Sequence, residues 1–452
     1  MCIRDSNTLV VFPNNPYRII AGGVDLWYGE KINENGFYNW NRKSYAEAAM
    51  AGGIFSPYYC HGDHHAYVFK PSNANKLYIG TDGGIFLASI SGSEFSFQSI
   101  NKNYAAAQMY TLDISTRPNQ FIGGAQDIGT VHVSGGVASG KNGEDLWRPA
   151  SFPAVFPDGT DGGSVAFTTL GYTDAGGEDV PSPIFYSKGP NPLNEGLGDR
   201  MRRSETLGFD YALDFLAGEI SDDRFITPMA LWESYNNESS QVDATWVADK
   251  DYAAGDPIIV RSNNYRYPFN HTLDQAVTDG DTLMIKDIIS NKLIIAVEDE
   301  VYMSLNSVDF SGAPDWWLIS DDNHAGVAGM PQSLGFSADG NYLWVGTDDG
   351  RIFRISNLAN AYDENTADVS SSNCIVATTE VMLPGDITQA VTSISVDPKE
   401  PNKVLVTLGN YGNQNYVYYC TNGTGDAPQF TSKQANLPKL PVYSGILEMD
   451  EG

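Results

Sequence analysis

One stretch constrains the fold more than any other: Ala66 to Ser89, AYVFKPSNANKLYIGTDGGIFLAS. Tyr67 and Phe69 alternate with Ala66 and Val68 in a short buried strand. Pro71-Ser72-Asn73 then turns the chain, because proline fixes φ and the polar pair caps the bend. A second apolar run, Leu77 to Gly80, meets Asp82-Gly83-Gly84. Those residue types reach positive φ cheaply and close a tight hairpin into Ile85 to Ala88.

The same order of strands and turns is written again elsewhere. Leu9 to Tyr28 places Pro13 and Asn14-Asn15-Pro16 at the first turn and Gly22-Gly23 at the second. Tyr110 to Ser134 uses Arg117-Pro118-Asn119 and then Gln126-Asp127. Ser333 to Ser356 and Ser393 to Asn422 are further copies, and looser ones begin near Gly163 and Met284. Matching points lie 44 (66 to 110), 49 (284 to 333) and 60 residues (333 to 393) apart. A period of ~40 to 50 residues per four-stranded sheet is that of β-propeller blades, so the expected fold is all-β, a propeller of antiparallel four-stranded blades with about seven or eight units visible.

At 452 residues the default is two or three domains, and the repeat replaces that with one radial domain, 7–452, carrying loop insertions around 170–220 and 237–282. Met1 to Ser6 has no apolar run of a signal peptide and reads as an assembly scar. At the other end PVYSGILEMDEG reads as the start of another unit, so the natural protein is expected to be longer at both ends. Formal charge is 27 minus 56, or −29, spread along the chain. Such a surface repels phosphates and anionic lipid, which argues against nucleic acid as a partner. No run of ~18 apolar residues is present, so no membrane insertion by helices is expected. Cys2, Cys60, Cys374 and Cys420 form no CxxC pair, which argues against a zinc knuckle or a redox motif and favours buried free thiols.

After the last apolar run of several units comes a turn and an aromatic strand: Gly36-Phe37-Tyr38-Asn39-Trp40, Ser89 to Phe97, Ser304-Leu305-Asn306 with Trp316, and Cys420-Thr421-Asn422-Gly423 with Phe430. Each has the shape of a worn Asp-box hairpin, S-x-D-x-G-x-T-W, in which the acid bonds the turn backbone and the aromatic ring packs between blades. Gly176 to Pro183 and Gly189 to Gly198 supply long Gly/Pro/Asn loops of the kind that carry specificity on a propeller rim, or plain surface loop.

Two candidate sites stand out. His61-Gly62-Asp63-His64-His65 precedes the first strand of its unit, and three imidazoles with a carboxylate could bind a divalent metal. Strand alternation lets only two or three of them converge, and the plainer reading is hydrogen-bonding side chains lining a central channel. The second site is the turn at Gln126-Asp127, where Asp82, Asp161 and Asp348 hold the corresponding positions in other units. Aspartate there normally caps turn N–H groups, whereas Gln126 adds an amide able to read a ligand. The ligand-binding candidates are thus His61, Asp63, His64, His65, Asp82, Gln126 and Asp127. Paired carboxylates for glycoside hydrolysis would lie ~5 to 9 Å apart, and the sequence names no such pair beyond Asp63 and Asp127 as weak candidates. There is no GxSxG elbow, and each GTDGG-like run closes a hairpin rather than opening a helix, which excludes a phosphate loop.

The runs HGDHHAYVFKPSNANKLYIGTDGGIFLAS and AQMYTLDISTRPNQFIGGAQDIGT resemble the secreted BNR/Asp-box propeller proteins of bacteria, which write D-x-H, P-x-N-P-N, G-x-D-G-G, Q-x-Y and G-G-x-Q-D-N-G-T. Asp63, His65, Asp82, Gln108, Tyr110, Gln126 and Asp127 fill that pattern, and Ile128 stands where asparagine is usual. The resemblance implies kinship with sortilin-type receptors, xyloglucanases and sialidases. A sialidase is expected to hold three clustered arginines, and here Arg202-Arg203 sits on a loop without such a cluster. The xyloglucanase type works in a cleft between two propellers, and only one ring's worth of repeats is visible. The expectation is a secreted or cell-surface, monomeric, non-catalytic propeller that binds a polysaccharide or protein ligand, with a carboxylate glycoside hydrolase as the alternative. A scaffold with Ca²⁺ held by the Asp-rich turns is a third reading, and no other cofactor is expected.

Overall fold

Turn chemistry closes hairpins where the repeat places it. The structure is a computed structural model that describes residues 7–32, 36–53, 55–101, 108–115, 120–126, 129–133, 147–149, 162–188, 201–205, 226–385, 387 and 389–447. The stretch from Ala66 folds into strands His64–Lys70, Asn73–Thr81 and Gly84–Ser91, and Glu94–Ser99 completes an antiparallel sheet paired in chain order. Tyr67 and Phe69 point into a core with Leu77, Ile79, Phe86 and Ala88, while Val68 is 58 % exposed on the other face.

Four strands meandering outward make the blade of a β-propeller. Among the described residues six sheets have four strands and one has three, and they occupy 8–42, 64–99, 109–149, 162–204, 229–320, 331–381 and 391–432, here blades 1 to 7. The three-stranded sheet is blade 4. Among the described residues helix is confined to two four-residue pieces, Ala48–Ala51 and Glu364–Ala367, plus short 3₁₀ turns. The chain divides into two compact units, residues 1–112 with 122–163, and residues 113–121 with 164–452.

In the first unit, the first strand of blade 1, Thr8–Phe12, runs beside that of blade 2, and Phe12, Ile20 and Tyr28 share the core of Phe69 and Phe95. In the second unit the first strands of blades 5, 6 and 7, Met229–Ser234, Pro331–Phe336 and Val391–Val396, lie side by side. Hydroxyls on the first strands of blades 4, 6 and 7 bond backbone in or beside the segment that follows: Ser164 Oγ donates to Thr227 O (2.5 Å), Ser333 Oγ to Val391 O (2.9 Å) and Ser393 Oγ to Gly445 O (3.2 Å). Thr111 Oγ1 does the same to Gly163 O within the first unit (2.8 Å). Residues 442–447 thereby occupy, beside blade 7, the slot that a following blade's first strand takes.

A second link joins blades from the third strand. Arg203 on Met201–Ser204 is buried, and its guanidinium donates to Ser307 O (2.9 Å), Asp309 O (2.8 Å) and Gly312 O in the outer turn of blade 5. Arg354 on Ile352–Ser356 repeats this, donating to Gly423 O and Gly425 O of blade 7, each at 2.6 Å. Those outer turns are closed by asparagine: Asn306 Oδ1 accepts Asp315 N–H (2.9 Å) and Asn422 Oδ1 accepts Gln429 N–H (2.9 Å). Phe430 follows and meets Trp344 of blade 6 edge-on, ring centroids 5.7 Å apart. Asn422→Ala, which also loses the bond from Nδ2 to Ala427 O, is expected to lower the unfolding free energy by about 1–2 kcal/mol, read as a lowered urea midpoint at unchanged m-value.

Blade 5 is interrupted between Met229–Ser234 and Ser290–Val297 by two strand pairs, Asp243–Val247 with Thr282–Lys286 and Pro257–Arg261 with Pro268–Thr272. Val260, Phe269, Leu273 and Ile285 from this insertion pack in one cluster with Leu293 and Ile295 of the blade, so it is seated on its sheet. In blade 4 the pair Tyr172–Thr173 and Asp179–Val180 sits between first and second strands. Cys60, Cys374 and Cys420 are free thiols, and among the described residues no helix is long and apolar enough to cross a membrane.

Candidate functional site

Because strand direction alternates, the loop leading into a blade's first strand and the turn between its second and third strands lie at the same end of the sheet. In blade 2 these are the histidine run and Asp82-Gly83-Gly84, and the two meet. Gly83 N–H donates to His61 Nδ1 (3.1 Å), while Asn101 donates to Gly83 O (2.8 Å) and accepts Ile85 N–H (2.7 Å). A Cβ on Gly83 would run into the His61 ring, and Gly84 has φ +101°, so the turn requires glycine at both positions.

Asp63 stands in the left-handed region at φ 53°, and the bend it makes sends its neighbours in opposite directions. His65 stays at the surface, where Nε2 donates to the Asp82 carboxylate. His64 is fully buried, with Nδ1 2.7 Å from the Tyr67 hydroxyl and its backbone N–H donating to Gly23 O (2.8 Å) in the matching turn of blade 1. Burial holds the His64 imidazole down at about 4, from an ordinary 6.5. Beneath it, burial pushes the Cys60 thiol up, which keeps it protonated and unreactive.

The structure therefore brings His61, His65 and Asp82 together around Gly83 and turns His64 inward as a packing residue. Asp82 spends its carboxylate on an imidazole rather than on turn N–H groups. Asp348 does bond backbone, accepting Met330 N–H at 3.3 Å. Gln126 sits on the corresponding turn of blade 3, its N–H donating to Gln108 O (2.8 Å), the closure repeated by Asp348 N–H to Met330 O and Gly409 N–H to Ala390 O, both 2.9 Å. Asp127 and Asp161 lie outside the described residues. Among the described residues no three His, Cys, Asp or Glu side chains converge to hold a metal ion.

One titratable group went unnoticed in the sequence. Glu233, in the first strand of blade 5, accepts Thr169 N–H (2.7 Å) and the Thr169 hydroxyl (2.9 Å), and burial raises its carboxyl to about 7. Asp113 nearby in charge accepts Ile114 and Phe167 N–H groups (2.8 and 2.6 Å). A lone glutamate in LWESYN carries no local signal, because its partner lies 64 residues away.

This sheet order and register define the protein as a β-propeller. The chain matches no protein-family model and no curated protein. Among solved structures it is similar to Sqt1 of Saccharomyces cerevisiae, at 12 % identity, covering 98 % of this chain and 89 % of that chain with a TM-score of 0.39. It is also similar to the RRP9 WD40 repeats (9 %, 94 % and 92 %, TM-score 0.32) and to the Dos1 propeller (11 %, 88 % and 89 %, TM-score 0.31).

Proposed function

We propose that this chain is a non-catalytic binding module of an exported protein, presenting the rim of blade 2 around His61, His65 and Asp82 to a polysaccharide or protein ligand. The observation that carries this reading is the fate of the buried carboxylates. Asp25 takes Ala46 N–H (2.8 Å), Asp287 takes Asn263 and Ile289 N–H (2.8 and 3.1 Å), Asp321 takes His324 N–H (2.9 Å), Asp113 takes Phe167 N–H (2.6 Å), and Glu233 takes Thr169 N–H (2.7 Å) through Oε2 while its Oε1 is buried without a partner. Acids that hold backbone in place are poorly suited to shuttle protons or attack a sugar. His65 and Asp82, by contrast, face solvent and can exchange their mutual bond for bonds to a ligand. The Asn306 and Asn422 turns, each closing an outer hairpin ahead of an aromatic residue, support kinship with the Asp-box propellers.

The test is a glycan array and a β-glucan turnover panel run on the same preparation. Binding without turnover is expected, with His65→Ala and Asp82→Ala each weakening the strongest array hit at least about five-fold. Turnover on any β-glucan, lost in Glu233→Gln, would establish the hydrolase instead.

A further inference from the structure

The described residues 43–53 and 55–59 between blades 1 and 2 lie against blade 2, and two adjoining cavities of about 530 and 330 Å³ open beside them, sharing Tyr58, Glu94 and Phe95. Their charge is opposite to that of the molecule. In a chain with 27 basic and 56 acidic residues, this groove is lined by Arg42, Lys43 and Lys76 and by Glu94, and with Arg42 paired to Asp25 the two lysines face one lining carboxylate. Arg42 is held by Asp25 (2.7 Å) and lies over the Tyr45 ring (4.5 Å), and Lys76 donates to Ser89 Oγ (2.5 Å). Among the described residues Lys43 has no ion pair. Met50 and Tyr58 are 55 and 51 % exposed at the lip, and Phe95 is buried at the floor.

The groove also borders a sheet edge that the loop between blades 1 and 2 covers only in part. Glu94–Ser99 is the outermost strand of blade 2, and Phe97 N–H turns away from the sheet to donate to Pro57 O (2.7 Å). Backbone groups alternate in direction along an edge strand, so the N–H and C=O of Phe95 face outward on the same side, into the groove. An edge covered by the loop at Phe97 but left without a partner at Phe95, beside an apolar floor and a basic wall, fits an extended peptide that pairs through its backbone there and carries acidic side chains.

We propose that this groove binds an extended acidic peptide segment of a protein partner, added as a fifth strand at Phe95 and held by Lys43 and Lys76. The proposal rests on the reading of the chain as a binding module but uses a different surface, the flank of blade 2 rather than its rim. The probe is a fluorescein-labelled peptide of about eight residues alternating glutamate and leucine, followed by anisotropy with the full chain. Binding is expected to weaken about ten-fold between 50 and 200 mM salt and about ten-fold in Lys43→Glu and in Lys76→Glu, with melting temperatures close to the parent's. The same peptide N-methylated at alternate residues is expected to lose binding, as is a lysine-leucine counterpart. No binding of the acidic peptide, or equal binding to the charge-reversed variants, would overturn the proposal, and unchanged affinity of the N-methylated peptide would overturn the strand pairing. A glycan-array result from the rim stands independently of each outcome.

Discussion

Trp344→Ala is expected to cost about 4 kcal/mol, the largest effect of any single truncation in blades 6 and 7. Trp344 is fully buried in strand Leu343–Thr347, in one core cluster with Val391, Val404, Val406 and Phe430, so its removal leaves a void that two blades line. Edge-to-face packing on Phe430 adds a specific contribution beyond buried area. Its indole Nε1 is buried without a hydrogen-bond partner, so the polar atom does not help. Trp344→Phe keeps most of the volume and removes that donor, and is expected within about 1.5 kcal/mol of the parent. Urea unfolding of both variants checks the pair. Equal losses would show that the ring's volume is not what holds the blades together.

The second large effect is a loss of stability in acid that runs through His64. Its folded value of about 4 lies below the ordinary 6.5, so the contribution is complete above pH 6.5 and is lost as pH falls through about 4. At 1.36 kcal/mol per pH unit that interval corresponds to about 3 kcal/mol. Glu233 works in the opposite sense: with its carboxyl raised to about 7, it costs stability as pH rises from about 4.5 to 7. The two oppose each other between those values, so the parent curve alone does not isolate either. His64→Phe does, provided Tyr67→Phe accompanies it to avoid stranding the hydroxyl that bonds Nδ1. Unfolding free energies of the double variant are expected to fall by about 3 kcal/mol less than those of the Tyr67→Phe single variant between pH 6.5 and 4. Parallel curves would mean that His64 is not the titrating group.

The blades were legible because their signals are local. Period-two apolar residues with Pro-Ser-Asn and Asp-Gly-Gly turn chemistry repeat inside some forty residues, and the sheet at 64–99 follows them to within a residue or two, Asn73 and Gly84 opening strands rather than closing turns. The histidine run was legible as a cluster of types, though not the direction of each ring. That direction depends on the left-handed bend at Asp63, which a sequence pattern does not encode for a non-glycine residue. Long-range commitments were not legible at all. Arg203 reads as one of a pair of loop arginines, yet it is buried against carbonyls more than a hundred residues ahead. Lys292 likewise sits within an apolar strand, donating to Gly340 O (2.8 Å) above the Trp232 ring, and burial brings its ammonium down to about 7.

Those forward-reaching arginines impose a direction on assembly. Arg354 donates to Gly423 O and Gly425 O, and Arg203 to backbone carbonyls between residues 307 and 312. On a ribosome, where the polypeptide emerges from its amino end, these carbonyls reach each guanidinium only after the following module has been synthesised and has formed its hairpin. Maturation of blades 4 and 6 would lag translation by one module, and an early stop within blade 5 or blade 7 would strand a cation in the one before it.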